Sequence, residues 1–146
     1  MAVNVVTITK SYKNANSSVP VVCKNDVVSG DTEIAVDVVV PASISNHTIV
    51  IPAVAYASLQ AFCIGLTKIV GDAGTPGNVT ITTNGNVGTG HDKFICNITN
   101  GAEWSINDLA PATNPITESV TSLHITNAGT AALQLRIRFL LNNSSL

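Results

Sequence analysis

Charged side chains are scarce in this chain of 146 residues. Asp, Glu, Lys and Arg together make up 11% of it, against roughly 25% in ordinary soluble domains. The hydrophobic share of 45% is ordinary, so threonine, serine and asparagine stand where charge is missing. Burying a hydroxyl or an amide costs far less than burying an unpaired charge. The composition therefore favours a surface that neighbouring molecules cover.

Basic residues are few and scattered. Lys and Arg together number seven and the formal net charge is −2; the closest pair is Arg136 and Arg138. Binding a phosphate backbone needs a concentrated basic face. We therefore expect no nucleic acid partner.

An uninterrupted apolar run of membrane-helix type is also missing. Residues 48–67 carry no charge, and about 18 apolar residues can cross a bilayer. Pro52, Gln60 and Gly65 interrupt this stretch, however, and no basic cluster flanks it. We expect it to form a strand, a turn and a second strand in the core, with no membrane partner.

The cysteines show neither a metal-binding nor an evident disulfide pattern. Cys23, Cys63 and Cys96 are odd in number, widely spaced and free of any C-x-x-C motif. Cys63 and Cys96 lie in apolar strand patterns and are expected to be small buried hydrophobic side chains. No signal peptide precedes the first strand pattern, so we expect synthesis in a reducing cytoplasm. Whether any of the cysteines pair stays open.

Motifs of catalysis and metal binding are absent from the sequence. His47, His91 and His124 are far apart, with no carboxylate or thiol at ligand spacing. There is no G-x-S-x-G elbow. The glycine-rich residues 85–90 lack the Lys-Ser/Thr of a P-loop and lead into a strand, which predicts a hairpin tip. We expect no enzymatic activity, no catalytic residue, no cofactor and no metal.

What the sequence does contain is strand periodicity. Residues 32–40 and residues 133–141 alternate apolar and polar side chains, so each predicts a strand with one face in the core. Arg136 and Arg138 fall on the polar face of the second strand. Asn100-Gly101 between β-forming residues predicts a hairpin, because both residue types accept positive φ.

The whole chain predicts an all-β fold. About nine or ten short strands alternate with turn signals, and no amphipathic helix of useful length interrupts them. We expect one domain over residues 1–146, a single antiparallel β-sandwich of jelly-roll or immunoglobulin-like topology. The sequence does not separate these two topologies. Residues 1–18 are expected to form an N-terminal arm, and residues 142–146 a short C-terminal tail.

Aromatic residues make up only 4% of the chain, which limits the places where a sugar could stack. Tyr12, Tyr56 and Trp104 are the candidates for exposed platforms, with Trp104 the first to test. The competing expectation for Trp104 is packing across a strand pair.

Three segments carry a family resemblance. They are residues 30–43, 79–84 and 121–141. Together they resemble small β-sandwich proteins encoded among the structural genes of tailed bacteriophages, of the capsid decoration (cement) type or related virion proteins. The resemblance implies a non-enzymatic protein of the virion, made in the host bacterial cytoplasm and bound in many copies to the capsid surface. Its implied partners are the major capsid protein, whose shell it stabilises, and copies of itself as a homo-oligomer.

The resemblance also implies contacts through the termini, residues 2–13 and 142–146. The residues expected to contact partners are Tyr12, Lys13, Tyr56, Trp104, Arg136 and Arg138. Two alternatives stay open. One is a tail or head-fibre module that contacts host-surface carbohydrate, and the other is a soluble sugar-binding module.

Overall fold

The computed structural model describes residues 4–12, 21–106 and 114–143. These residues form ten strands and one short 3₁₀ turn, Tyr56–Ser58, between the fourth and fifth strands. The strands are β1 (Asn4–Tyr12), β2 (Val21–Gly30), β3 (Thr32–Val40), β4 (His47–Val54), β5 (Leu59–Lys68), β6 (Val79–Thr83), β7 (Lys93–Cys96), β8 (Ala102–Ser105), β9 (Val120–Asn127) and β10 (Leu133–Leu141).

Eight of these strands form two four-stranded antiparallel sheets. Sheet 1 has the order β3-β10-β5-β8, and sheet 2 has the order β4-β9-β6-β7. From β3 to β10 the chain changes sheet at every connection except the one between β6 and β7. This order is that of a jelly roll. The all-β sandwich prediction is confirmed, and of the two topologies left open the structure shows the jelly roll.

The core lies between the two sheets and follows the predicted alternation. On β3 the side chains of Ile34, Val36 and Val40 are buried, while Glu33 and Asp37 are exposed. Leu133, Leu135, Ile137 and Phe139 of β10 point into the same core. Phe62 of β5 occupies its centre at 1% exposure. Its ring meets those of Phe94, Trp104 and Phe139 at centroid distances of 5.4, 6.5 and 6.4 Å.

The Asn100-Gly101 hairpin prediction is wrong. The strand before it, β7, belongs to sheet 2, whereas β8 after it belongs to sheet 1. The turn itself exists, because the Asn97 amide N–H donates to the carbonyl of Asn100 at 2.9 Å. Neither Asn100 nor Gly101 has positive φ. A Cβ on Gly101 would lie 2.2 Å from the carbonyl oxygen of Ile64, so glycine is required here for close approach to β5.

The glycine-rich residues 85–90 do lie at a hairpin tip, between β6 and β7 of sheet 2. Backbone bonds close the hairpin: the Thr83 N–H donates to Asp92 O, and the His91 N–H donates to Thr83 O, each at 3.0 Å. This prediction is confirmed.

The strands β1 and β2 pair with each other in a two-stranded sheet outside both sheets of the sandwich. We call this ribbon the arm. Its pairing runs from Asn4 opposite Gly30 to Tyr12 opposite Val21, with a register shift between Lys10 and Ser11. Of the expected arm of residues 1–18 the structure describes β1; residues 1–3 and 13–20 lie outside the described residues.

The cysteines of the sandwich differ from one another. Cys96 is fully buried in the core, as predicted, whereas Cys63 is only half-buried on the outer face of sheet 1. The expectation of a buried Cys63 is wrong because its neighbours Phe62 and Ile64 take the inward positions of β5. Both thiols are unpaired.

Candidate functional site

The expected contact residues whose side chains the structure describes, Tyr56, Trp104, Arg136 and Arg138, lie in different parts of the fold apart from the two arginines. Tyr12 ends β1, and Lys13 lies outside the described residues. Tyr56 is 46% exposed in the 3₁₀ turn, where its amide N–H donates to Ser119 Oγ at 3.1 Å. Arg136 and Arg138 project from the outer face of sheet 1. Among the expected contact residues with described side chains, the structure therefore brings together the two arginines.

Trp104 is not a surface platform. Its side chain is 7% exposed, and it lies opposite Phe62 on the adjacent strand, with the two rings stacked. The expectation that Trp104 is an exposed platform is wrong, because the inward position on β8 places the indole in the core. The competing expectation, packing across a strand pair, is the one that the structure shows. The indole Nε1 has no hydrogen-bond partner among the described residues.

Arg138 is engaged within the sheet itself. Its guanidinium donates to both carboxylate oxygens of Asp37 on β3, at 2.9 and 3.0 Å, and its Nε lies 3.3 Å from a carboxylate oxygen of Glu33. The hydrogen bond from Arg138 holds the pKa of Asp37 below its ordinary value of 3.8. Arg136 is exposed and lies opposite Asp37 in register. Both carboxylates therefore pair with Arg138, while Arg136 stays exposed on the same face.

The arm is anchored on that same outer face. Val28 of β2 forms a small buried cluster with Ala61 of β5 and Leu140 of β10. Gly30 lies so close to β10 that a Cβ would fall 2.4 Å from the carbonyl oxygen of Leu141. On β1, Val5 is 59% exposed and Thr7 is exposed. The arm thus has one fixed region and a further surface that its own sandwich leaves uncovered.

The first residues of the expected tail are tied back to the domain. The Asn142 N–H donates to the Ser58 carbonyl and the Asn143 N–H donates to the Asp31 carboxylate, both at 2.9 Å. Residues 144–146 lie outside the described residues. The hydrogen bond to Asp31 places the end of β10 beside the turn that joins the arm to the sandwich.

The outer face of sheet 2 is built from hydroxyl side chains around one histidine. Thr48 of β4 and Thr82 of β6 flank His124 of β9 in register. The imidazole contacts Asn46 Oδ1 at 2.8 Å, Ser122 Oγ at 3.2 Å and Thr48 Oγ1 at 3.3 Å. This face has little charge, in keeping with the composition, and its histidine is occupied by neutral partners.

At the β6–β7 tip, polar side chains fasten the loop that precedes β9. Asp92 is buried and accepts hydrogen bonds from the amide and hydroxyl of Thr117, at 2.9 and 2.7 Å. Glu118 lies 3.3 Å from His91 Nε2 and accepts a 2.7 Å bond from Asn84. Within the described part of the chain, no three His, Cys, Asp or Glu side chains are placed to hold a metal ion. The network joins two loops.

A cleft lies at the opposite end of β6 and β7. Its volume is about 370 Å³. It is lined by Pro76, Gly77, Asn78, Asn97, Ile98, Thr99 and Asn100. Because Val79 lies opposite Cys96, the segment that enters β6 and the segment that leaves β7 stand side by side and form its two walls. Sequence reasoning missed this cleft, since its walls are far apart along the chain and carry no motif.

Comparison with known proteins yields no family. No family model and no curated protein matches the chain. Among solved structures, one match comes from work titled "Bacillus endospore appendages form a novel family of disulfide-linked pili". It is 21% identical, covers 76% of this chain and 90% of that chain, and has a TM-score of 0.30. A superposition at that level supports no conclusion about this protein. Within the described residues, no helix is long and apolar enough to cross a membrane.

Proposed function

We propose that this protein is a non-enzymatic structural component of a bacteriophage particle, a capsid decoration protein that binds and stabilises the shell of the major capsid protein. The observation that carries the proposal is the arm. A two-stranded ribbon by itself is marginally stable in water, and this one pairs with neither sheet of its own domain. A neighbouring subunit would supply the surface that the ribbon lacks.

The dimensions of the arm suit a contact between subunits. The nine residues of β1 span about 30 Å at the usual rise of a strand. Val28 and Gly30 fix the arm to β5 and β10, while Val5 and Thr7 stay exposed. Among the described strands, neither β1 nor β2 has a second partner in its sheet, so each offers an edge to which a further strand can add.

The scarcity of charge supports the same proposal. Exposed residues such as Val50 at 83% and Ile95 at 59% lie at the margins of sheet 2, next to its face of threonine and serine. Removing water from a surface with few charged groups costs little free energy. A protein covered by the shell and by copies of itself would bury them in every copy.

The test is binding to heads that lack the decoration layer. We expect the full chain to bind purified shells of the major capsid protein saturably and to raise their resistance to heat. A double variant, Val5→Glu with Thr7→Glu, should lose binding while the sandwich stays folded. Val70→Glu is the matched control, because Val70 is fully exposed outside the arm and should leave binding unchanged.

Failure of the folded wild-type chain to bind such heads would reject the proposal. Labelling on purified particles gives a second check, since a decoration protein covers the head. Signal confined to the tail would instead support the alternative of a fibre module.

A further inference from the structure

We propose that the cleft between residues 76–78 and residues 97–100 is a binding site for a neutral carbohydrate. The inference concerns a different part of the molecule from the arm and does not depend on capsid binding. The sequence suggests Trp104 as the sugar-binding residue, but Trp104 is buried. The cleft lies elsewhere, and its described lining has no aromatic residue.

The walls of the cleft are held in place before any ligand arrives. Asn97 Nδ2 donates to Asn78 Oδ1 at 3.2 Å and thereby bridges the two walls. Asn97 Oδ1 accepts the amide N–H groups of Thr99 and Asn100, at 2.9 and 2.8 Å. Gly77 packs on Gly129, where a Cβ would lie 2.8 Å from its Cα. A preformed site binds without first paying to order its loops.

The remaining polar groups point to a hydroxyl-rich ligand. Asn97 is engaged by its neighbours, but Asn78 Nδ2, the side-chain amide of Asn100 and the hydroxyl of Thr99 make no hydrogen bond with any described residue. An amide offers a donor and an acceptor in one plane. A sugar hydroxyl both donates and accepts, so adjacent hydroxyls can satisfy these groups together.

The apolar part of the lining suits the carbon face of a sugar ring. Ile98 is 45% exposed beside the amides, and Pro76 is half-buried in the opposite wall. Ligand sites combine such apolar surface with a few placed polar groups. The volume of about 370 Å³ is at the lower end of the roughly 300–1,000 Å³ that such sites occupy, which suits a single ring of a longer glycan.

The residues that line the cleft also disfavour charged ligands. None of the described residues that line the cleft is Lys, Arg, His, Asp or Glu. A phosphate or an acidic sugar would lose its water without gaining an opposite charge. The same described lining contains no aromatic ring on which a nucleobase could stack. The site therefore favours neutral glycans over sialylated, sulfated or phosphorylated ones.

The experiment is a glycan array probed with the full chain, followed by titration of the best neutral ligand. We expect neutral glycans to bind and acidic ones not to. Asn78→Ala and Asn100→Ala should each weaken binding by about tenfold or more, the effect of losing one hydrogen bond of about 1.4 kcal/mol. Asn86→Ala is the control, because Asn86 lies at the opposite end of the β6–β7 hairpin and should bind as the wild type does.

Chemical shifts provide a readout that does not rest on folding of a variant. On titration of wild-type protein, the amide resonances of Asn78, Thr99 and Asn100 should move first. Binding of acidic glycans only, no binding of any neutral glycan, or affinity that survives both cleft substitutions would each overturn the proposal. Shifts confined to other surfaces would do the same.

Discussion

The guanidinium of Arg138 donates hydrogen bonds to both carboxylate oxygens of Asp37, from one strand of sheet 1 to its neighbour. The two residues are offset diagonally, since Asp37 is directly opposite Arg136 and Arg138 is opposite Ala35. The ion pair thus links two neighbouring outward-facing cross-strand pairs, Asp37 with Arg136 and Ala35 with Arg138. Of the two arginines that the sequence predicts to contact partners, Arg138 is thus already engaged by carboxylates of its own sheet.

Replacing Asp37 by Asn should remove an acid-sensitive part of the stability. The pKa of Asp37 is lowered by Arg138, so the folded state favours the ionised carboxylate. Its contribution is present above the ordinary value of 3.8 and is lost as the pH falls through the lowered pKa. In urea unfolding, the free energy of unfolding of the variant should be slightly lower than that of the wild type at neutral pH. This difference should vanish in strong acid. Arg138→Lys should have an intermediate free energy of unfolding at neutral pH. If Asp37→Asn lowered the free energy of unfolding equally at neutral and at strongly acidic pH, the ionised pair would not be the source of the effect.

Two glycines of sheet 1 should respond in opposite ways to alanine. At Gly101 a Cβ would overlap the carbonyl oxygen of Ile64, so we expect Gly101→Ala to cost more than about 1 kcal/mol. At Gly65 nothing lies within 4 Å of a new Cβ. Gly65→Ala should therefore stabilise the protein by about 0.5–1 kcal/mol, because alanine loses less backbone entropy in a strand. Denaturant unfolding measures both; a neutral Gly101→Ala would show that the turn moves freely.

The two sandwich cysteines should differ in reactivity. Burial raises the pKa of both thiols above the ordinary 9.0, and Glu103 adds to the effect at Cys63. Cys63 is partly exposed and should be alkylated slowly in the folded protein, faster as the pH rises above its ordinary pKa. Cys96 is fully buried and should react only with unfolded chains. Peptide mapping after alkylation, with and without urea, tests this; rapid labelling of native Cys96 would be the contrary result.

Loosening the anchor of the arm should free the arm without unfolding the sandwich. Val28 packs with Ala61 and Leu140 in a cluster separate from the main core. We expect Val28→Ala to speed hydrogen exchange in β1 and β2 while β5 and β10 keep their protection. Val36→Ala in the main core is the comparison, and it should lower protection throughout sheet 1. If the Val28→Ala variant lost protection against hydrogen exchange uniformly, the arm and the sandwich would unfold as one unit.

The strands were predictable from local sequence, and their partners were not. Alternation along β3 and β10 identifies both elements and their buried faces, because a strand repeats every two residues. The signal at Asn100-Gly101 identifies a turn equally well, yet it does not tell a hairpin from a connection between sheets. That choice depends on β5, which pairs with β8 from a distant part of the chain and so draws β8 into sheet 1.

The candidate cleft was beyond sequence reasoning for a related reason. Asn78 and Asn97 are 19 residues apart, and only the pairing of β6 with β7 brings their amides into contact. Trp104 illustrates the converse case. Its residue type suggests a platform, but the register of β8 on β5 turns the ring towards Phe62. Local sequence does not determine which way a side chain points on a four-residue strand. It also does not determine which two loops meet in the fold.

The position of β10 between β3 and β5 has a consequence for biosynthesis. The last strand of the sandwich is an inner strand of sheet 1 and pairs with both neighbours along its whole length. Until it has left the ribosome, β3 and β5 present open edges to each other and to other nascent chains. Sheet 1 therefore closes only after β10 has been made. Chains that lack β10 should aggregate instead of forming a stable partial sandwich, because β3 and β5 keep their open edges.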